Sequence, residues 1–127
     1  PANREIQLDR YSAISPRGAS IEFLDSKKPF DGWKTVLTEK DAWIRFDNVD
    51  FEKPKSVKIK AMSESGGSVT LRIRKGTELV ESRADIPKGN NWQIVQADVK
   101  RLPSGINDIE LLLSDSGRVE IDWIQFE

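Results

Sequence analysis

The last ten residues, Arg118-Val119-Glu120-Ile121-Asp122-Trp123-Ile124-Gln125-Phe126-Glu127, decide how the rest of the chain is read. Apolar residues alternate there with charged or amide ones, the period-two signature of a strand with one face in a core. Strict alternation puts Val119, Ile121 and Trp123 on one face and Glu120, Asp122 and Ile124 on the other. Trp123 and Phe126 are expected in the core. A carboxylate held at a sheet surface among apolar neighbours needs a cation or several donors. Asp122 is therefore expected to have a partner, sought near the N-terminus.

Outward from this closing strand, the same alternation recurs in short runs. Ile6 to Tyr11 reads as a first strand and Ile21 to Leu24 as a short second one. Asp25 to Trp33, with two lysines, Pro29 and the pair Asp31-Gly32, reads as a long loop ending in an aromatic. Ala42 to Phe46 and Lys55 to Ser63 follow as strands, then a turn at 63–68 and a strand carrying Val69, Leu71 and Ile73 inward. Glu78 to Ile86, Trp92 to Val99 and the set Ile109, Leu111, Leu113 complete about nine strands. No amphipathic helix of useful length interrupts them. The pattern predicts an all-β fold, an antiparallel β-sandwich of the jelly-roll kind. Residues 1–5 are expected to be frayed, with one domain over 6–127.

Composition removes whole classes of chemistry. The 127 residues suit one core. There is no cysteine, so disulfides and thiolate metal sites are excluded. There is no histidine either, which removes the usual base of nucleophilic triads and the commonest zinc ligand. Twenty basic against twenty-one acidic residues leave a net charge of -1, so no global field draws the chain to nucleic acid or membrane, and neither partner is expected.

Six pieces in order then carry a resemblance: Ile6 to Tyr11, Asp41-Ala42-Trp43-Ile44-Arg45-Phe46, Gly66-Gly67-Ser68-Val69, Asn91-Trp92-Gln93, Ser104 to Ile109, and Ile121-Asp122-Trp123. Together they resemble a family 6 carbohydrate-binding module over nearly the whole chain. The resemblance implies a lectin-like module without catalysis of its own, bound to polysaccharide or oligosaccharide and covalently linked to a glycoside hydrolase. It implies a secreted, periplasmic or cell-surface setting. The alternative is a structural sandwich whose sugar site is degenerate and which packs against a catalytic domain.

The resemblance also assigns residues. A structural calcium is implied at Gln7, Asp9 and Asp122, and oxygen donors two apart on one strand beside a carboxylate on another suit a hard cation. Asp9 stands where glutamate is more usual. A loop cleft is implied in which Trp92 stacks on a sugar, Asn91 lies beside it and Trp33 fills the role of a second aromatic. Glu120 falls where the family carries asparagine, so it accepts hydrogen bonds only. A second possible surface is implied on a sheet face, with Trp43 as platform and Arg45, Arg72 and Arg74 around it, joined by Lys58 and Lys60 if the strands share a sheet. Such a face would suit an anionic glycan. The plainer expectation is that its charges pair with Glu81, Asp85 and Glu110 across strands.

Overall fold

The computed structural model describes residues 5–7, 11–51, 56–97, 105–115 and 117–127. Eleven strands are formed among them: β1 (Glu5–Gln7), β2 (Ala13–Ile14), β3 (Ala19–Phe23), β4 (Trp33–Leu37), β5 (Trp43–Phe51), β6 (Val57–Met62), β7 (Gly67–Lys75), β8 (Glu78–Ile86), β9 (Gln93–Ala97), β10 (Gly105–Leu113) and β11 (Val119–Phe126). A single 3-10 turn at Pro29–Asp31 is the one helical element among the described residues. No helix there is long and apolar enough to cross a membrane.

The strands form two antiparallel sheets. The first has the order β3-β4-β11-β6-β9, with β1 also paired to β11, and the second has the order β2-β5-β10-β7-β8. Leu37, Ile59, Ile121, Ile124 and Phe126 of the first pack against Ile44, Phe46, Leu71, Ile73, Ile109 and Leu111 of the second. Each of these is at most 4% exposed, so the alternating apolar residues do form the layer between the sheets. This is the antiparallel jelly-roll sandwich that the alternation predicts.

Two strands were not expected. β2 is two residues long, and β4 falls where the reading ends a loop. Thr35, Val36 and Leu37 are all buried, so β4 is covered on both faces and shows no alternation to find.

The closing strand also departs from strict alternation. Opposite β6, Ile121 pairs with Ala61 and Trp123 with Lys60, which leaves Asp122 as an extra residue. This β-bulge reverses the facing of everything after it. Val119 and Ile121 enter the core before it, and Ile124 and Phe126 after it. Trp123 is 8% exposed but stands outside that cluster, on the side of Lys60 and Gln125. The expected facings of Trp123 and Ile124 are thus exchanged. The first-strand reading is met only by Glu5–Gln7, because residues 1–4 and 8–10 lie outside the described residues.

Candidate functional site

The two outer sheet faces hold the predicted site residues. On the first sheet, pairing in register sets up one cross-strand row, Ser20–Val36–Glu120–Met62. One step beyond the Ala61–Gln93 pair, the antiparallel register of β6 and β9 brings Trp92 beside Met62. Lys60 lies over the Trp92 ring, with Nζ 5.9 Å from its centroid, and also reaches Asp122 Oδ2 at 3.3 Å. Trp92 is half-buried and Asn91 is exposed in the turn before β9.

Glu120 does not face an open cleft. Its carboxylate is ion-paired with Lys34 of β4, and Arg118 Nη2 stands 3.7 Å away. The side chains of Lys34 and Glu120 are 15% and 9% exposed, so the pair is largely withdrawn from water. Arg118 also lies within 3.9 Å of Glu22 on β3. An aromatic facing Trp92 across Glu120 would have to come from position 34 or 36 of β4, and these are lysine and valine.

Trp33 does not take that place. By alternation it sides with Thr35 and Leu37, the inward side of β4, whereas Trp92 sides with Lys60 on the outer face. Its ring stacks on its cross-strand neighbour Phe23, with centroids 4.2 Å apart and planes 24° apart. Three strand spacings separate β4 from β9, roughly 14 Å. Two rings that clasp one sugar stand about 7 to 8 Å apart, twice a carbon contact distance. Trp33 and Trp92 are therefore not brought together as one clasp.

For calcium, the described donors are few. Asp122 sits at the bulge, 7% exposed, with Lys60 as ion-pair partner. Gln7 is in register with Trp123, so β1 carries the predicted amide residue to the neighbour of Asp122. Amide and carboxylate oxygens are the donor type that a hard cation takes, and of the three expected donors only Asp122 has a described side chain. The side chain of Gln7 and all of Asp9 lie outside the described residues. Among the described residues no group of three acidic residues could hold a metal.

The second sheet's outer face is different. Its register makes three adjacent rows. Trp43, Leu112 and Thr70 form the first, and Arg45, Glu110, Arg72 and Glu81 the second. Asp108, Arg74 and Leu79 form the third, with Asn48 against Asp108. A groove of about 430 Å³ lies over the last two rows, lined by Arg45, Asp47, Asn48, Arg72, Arg74, Asp108, Ile109 and Glu110.

The half-buried Trp43 stands at its margin with the Arg45 guanidinium 5.6 Å from its ring centroid. Trp43, Arg45, Arg72 and Arg74 do share one face. Lys58 and Lys60 do not belong to it, since β6 is in the other sheet, where they pair with Glu127 and Asp122. The face is also less basic than its arginines suggest. Arg45 Nε lies 3.0 Å from Asp47, and Arg72 is 3.5 Å from Glu110 and 3.6 Å from Glu81. Asp85 pairs instead with Arg83, at 3.5 Å.

Sequence reasoning missed Lys34, Asn48 and Asp108. Lys34 meets a residue 86 positions away, which no local pattern reveals. Asn48 had a signal: Asp47-Asn48 interrupts the alternation of β5, and asparagine tolerates the left-handed backbone of a bulge.

The sequence profile described as carbohydrate binding module (family 6) matches residues 13–127. The chain therefore belongs to family 6 of the carbohydrate-binding modules, and it is a non-catalytic carbohydrate-binding module. No curated protein matches it significantly. Among solved structures, a family 6 module from Clostridium stercorarium in complex with cellobiose superposes with a TM-score of 0.82 at 21% identity, over 99% of this chain and 94% of that one. A glycoside hydrolase family 43 arabinoxylan arabinofuranohydrolase from Bacillus subtilis, in complex with cellotetraose, gives a TM-score of 0.79 at 17% identity, over 98% of this chain and 27% of that one. A family 36 module in complex with calcium and xylotriose gives 0.68 at 16% identity, over 98% of this chain and 99% of that one. At these identities the superpositions establish the shared fold.

Proposed function

We propose that the module binds polysaccharide or oligosaccharide chains across the outer face of the second sheet and so keeps a covalently linked glycoside hydrolase near its substrate. The observation that carries this reading is the groove beside Trp43, open to solvent and lined by polar side chains from three strands. An indole at the margin can cover the apolar C–H face of a sugar while neighbouring donors and acceptors meet its hydroxyls. The Trp92 edge supports the same conclusion from the other side, because Lys34 already occupies the carboxylate that a sugar hydroxyl would need.

Linkage to a hydrolase would act through effective concentration, converting a weak single-site contact into prolonged residence on the polymer. A polymer of this kind is met outside the cytoplasm, which supports a secreted, periplasmic or cell-surface setting. Calcium, held by Gln7, Asp9 and Asp122, would fix β1 against β11 and contribute stability alone.

Fusion to a hydrolase tests the role. Deleting the module is expected to lower activity on insoluble xylan or β-glucan several-fold while leaving activity on the soluble polymer unchanged. Equal loss on both would point to a module that packs against the catalytic domain for structural reasons.

A further inference from the structure

Within the groove the two rows differ in what they leave available. In the row of Arg45, Glu110, Arg72 and Glu81 the arginines have carboxylates close by, Asp47 at 3.0 Å from Arg45 and Glu110 and Glu81 at 3.5 and 3.6 Å from Arg72, although Arg45 Nε and Arg72 Nε find no hydrogen-bond partner. In the next row Arg74 stands directly opposite Asp108 in the register of β7 and β10. Opposite charges so placed ordinarily pair. Among the described residues, however, Arg74 makes no ion pair, while Asp108 Oδ1 accepts the backbone N–H of Asn48 at 2.9 Å.

The cause is a second bulge. Asn107 pairs with Val49 and Ile109 with Phe46, so β5 carries one residue more than β10 across this stretch. Asn48 takes up the excess with φ of 59°, a left-handed backbone that costs a residue other than glycine energy and recurs at binding sites. The bulge thus turns Asp108 toward Asn48 and leaves the Arg74 guanidinium exposed at the groove.

We propose that Asn48, Asp108 and Arg74 are the specificity-determining residues of the groove, reading the hydroxyls of an uncharged glycan two rows from Trp43. This inference rests on the second-sheet reading given above. A vicinal diol both donates and accepts, and this trio offers an amide, a carboxylate and a guanidinium to match it. A uronate or sulfate would meet Asp108, Asp47 and Glu110 beside the three arginines, so the groove offers it no net attraction.

The test is affinity electrophoresis of the intact module through gels of mixed-linkage β-glucan, xylan and polygalacturonate. Asn48→Gly, Arg74→Gln, Trp43→Ala and Trp92→Ala run alongside, with thermal melting of each. Glycine suits the left-handed position, so Asn48→Gly is expected to melt no lower than the parent. Both Asn48→Gly and Arg74→Gln are expected to weaken retention in a neutral gel by about 5- to 10-fold, the worth of one hydrogen bond. Retention lost in Trp43→Ala but unchanged in Asn48→Gly and Arg74→Gln would overturn this inference and leave the second-sheet reading standing. So would retention by polygalacturonate alone. Loss in Trp92→Ala alone, or no retention in any gel, would overturn both.

Discussion

The outer faces of the two sheets are built from similar parts, an indole, carboxylates and long cationic side chains, and they use them in opposite ways. On the first sheet the two buried acids of β11 are each met by a lysine: Glu120 by Lys34 and Asp122 by Lys60, which also covers Trp92. Both carboxylates are satisfied within the protein and, with Lys34, largely withdrawn from water. On the second sheet a bulge in β5 breaks the row of cross-strand pairs and leaves Asn48, Asp108 and Arg74 at a groove. Residue types alone therefore do not mark a binding face. What marks it is whether the strand register lets the side chains satisfy one another.

The largest effect is expected at Glu120. Glu120→Ala strands the Lys34 ammonium under the surface and is expected to cost about 3 kcal/mol of stability in denaturant unfolding, with little change in glycan retention. A stability loss below about 1 kcal/mol would mean that the pair is solvated and the edge more open than described.

Calcium comes next, at β11. Added at roughly 100 times its dissociation constant, it is expected to raise stability by about 2.7 kcal/mol, and Asp122→Ala to remove that increment. Identical melting in calcium and in chelator would exclude the ion at Gln7, Asp9 and Asp122.

Trp43→Ala is expected to reduce glycan association by about 30-fold, close to 2 kcal/mol for lost aromatic contact. Its measurement is isothermal titration with a soluble β-glucan or xylan oligosaccharide. The smallest effect belongs to Trp92→Ala, which forfeits the Lys60 contact and is expected to cost about 1 kcal/mol of stability while changing association less than about twofold.

Much of the fold was legible because alternation reports directly on a core between two sheets. β5, β6, β7 and β10 each enter the core at the residues that the pattern names: Ile44 and Phe46, Val57 and Ile59, Leu71 and Ile73, Ile109 and Leu111. β4 escaped because it is buried on both faces. Bulges set the other boundary. At Asp122 and at Asn48 one extra residue reverses facing or opens a row, and periodicity has no term for an insertion.

The candidate sites were legible only in part for a related reason. The shared face of Trp43, Arg45, Arg72 and Arg74 follows from alternation once the strands are known to be neighbours. That Lys58 and Lys60 belong to the opposite sheet follows from strand order, which the sequence does not state. The occupation of Glu120 by Lys34 depends on the pairing of β4 with β11, across most of the chain.

The four tryptophans make the central claim directly measurable, since Trp33, Trp43, Trp92 and Trp123 each carry one indole N–H. A nitrogen–proton correlation spectrum of the labelled module, titrated with a soluble β-glucan or xylan oligosaccharide, reports on all four at once. The Trp43 indole resonance is expected to move and saturate while those of Trp33 and Trp92 stay in place. Movement of Trp92 with Trp43 unchanged would contradict that claim and return the binding site to the loop edge.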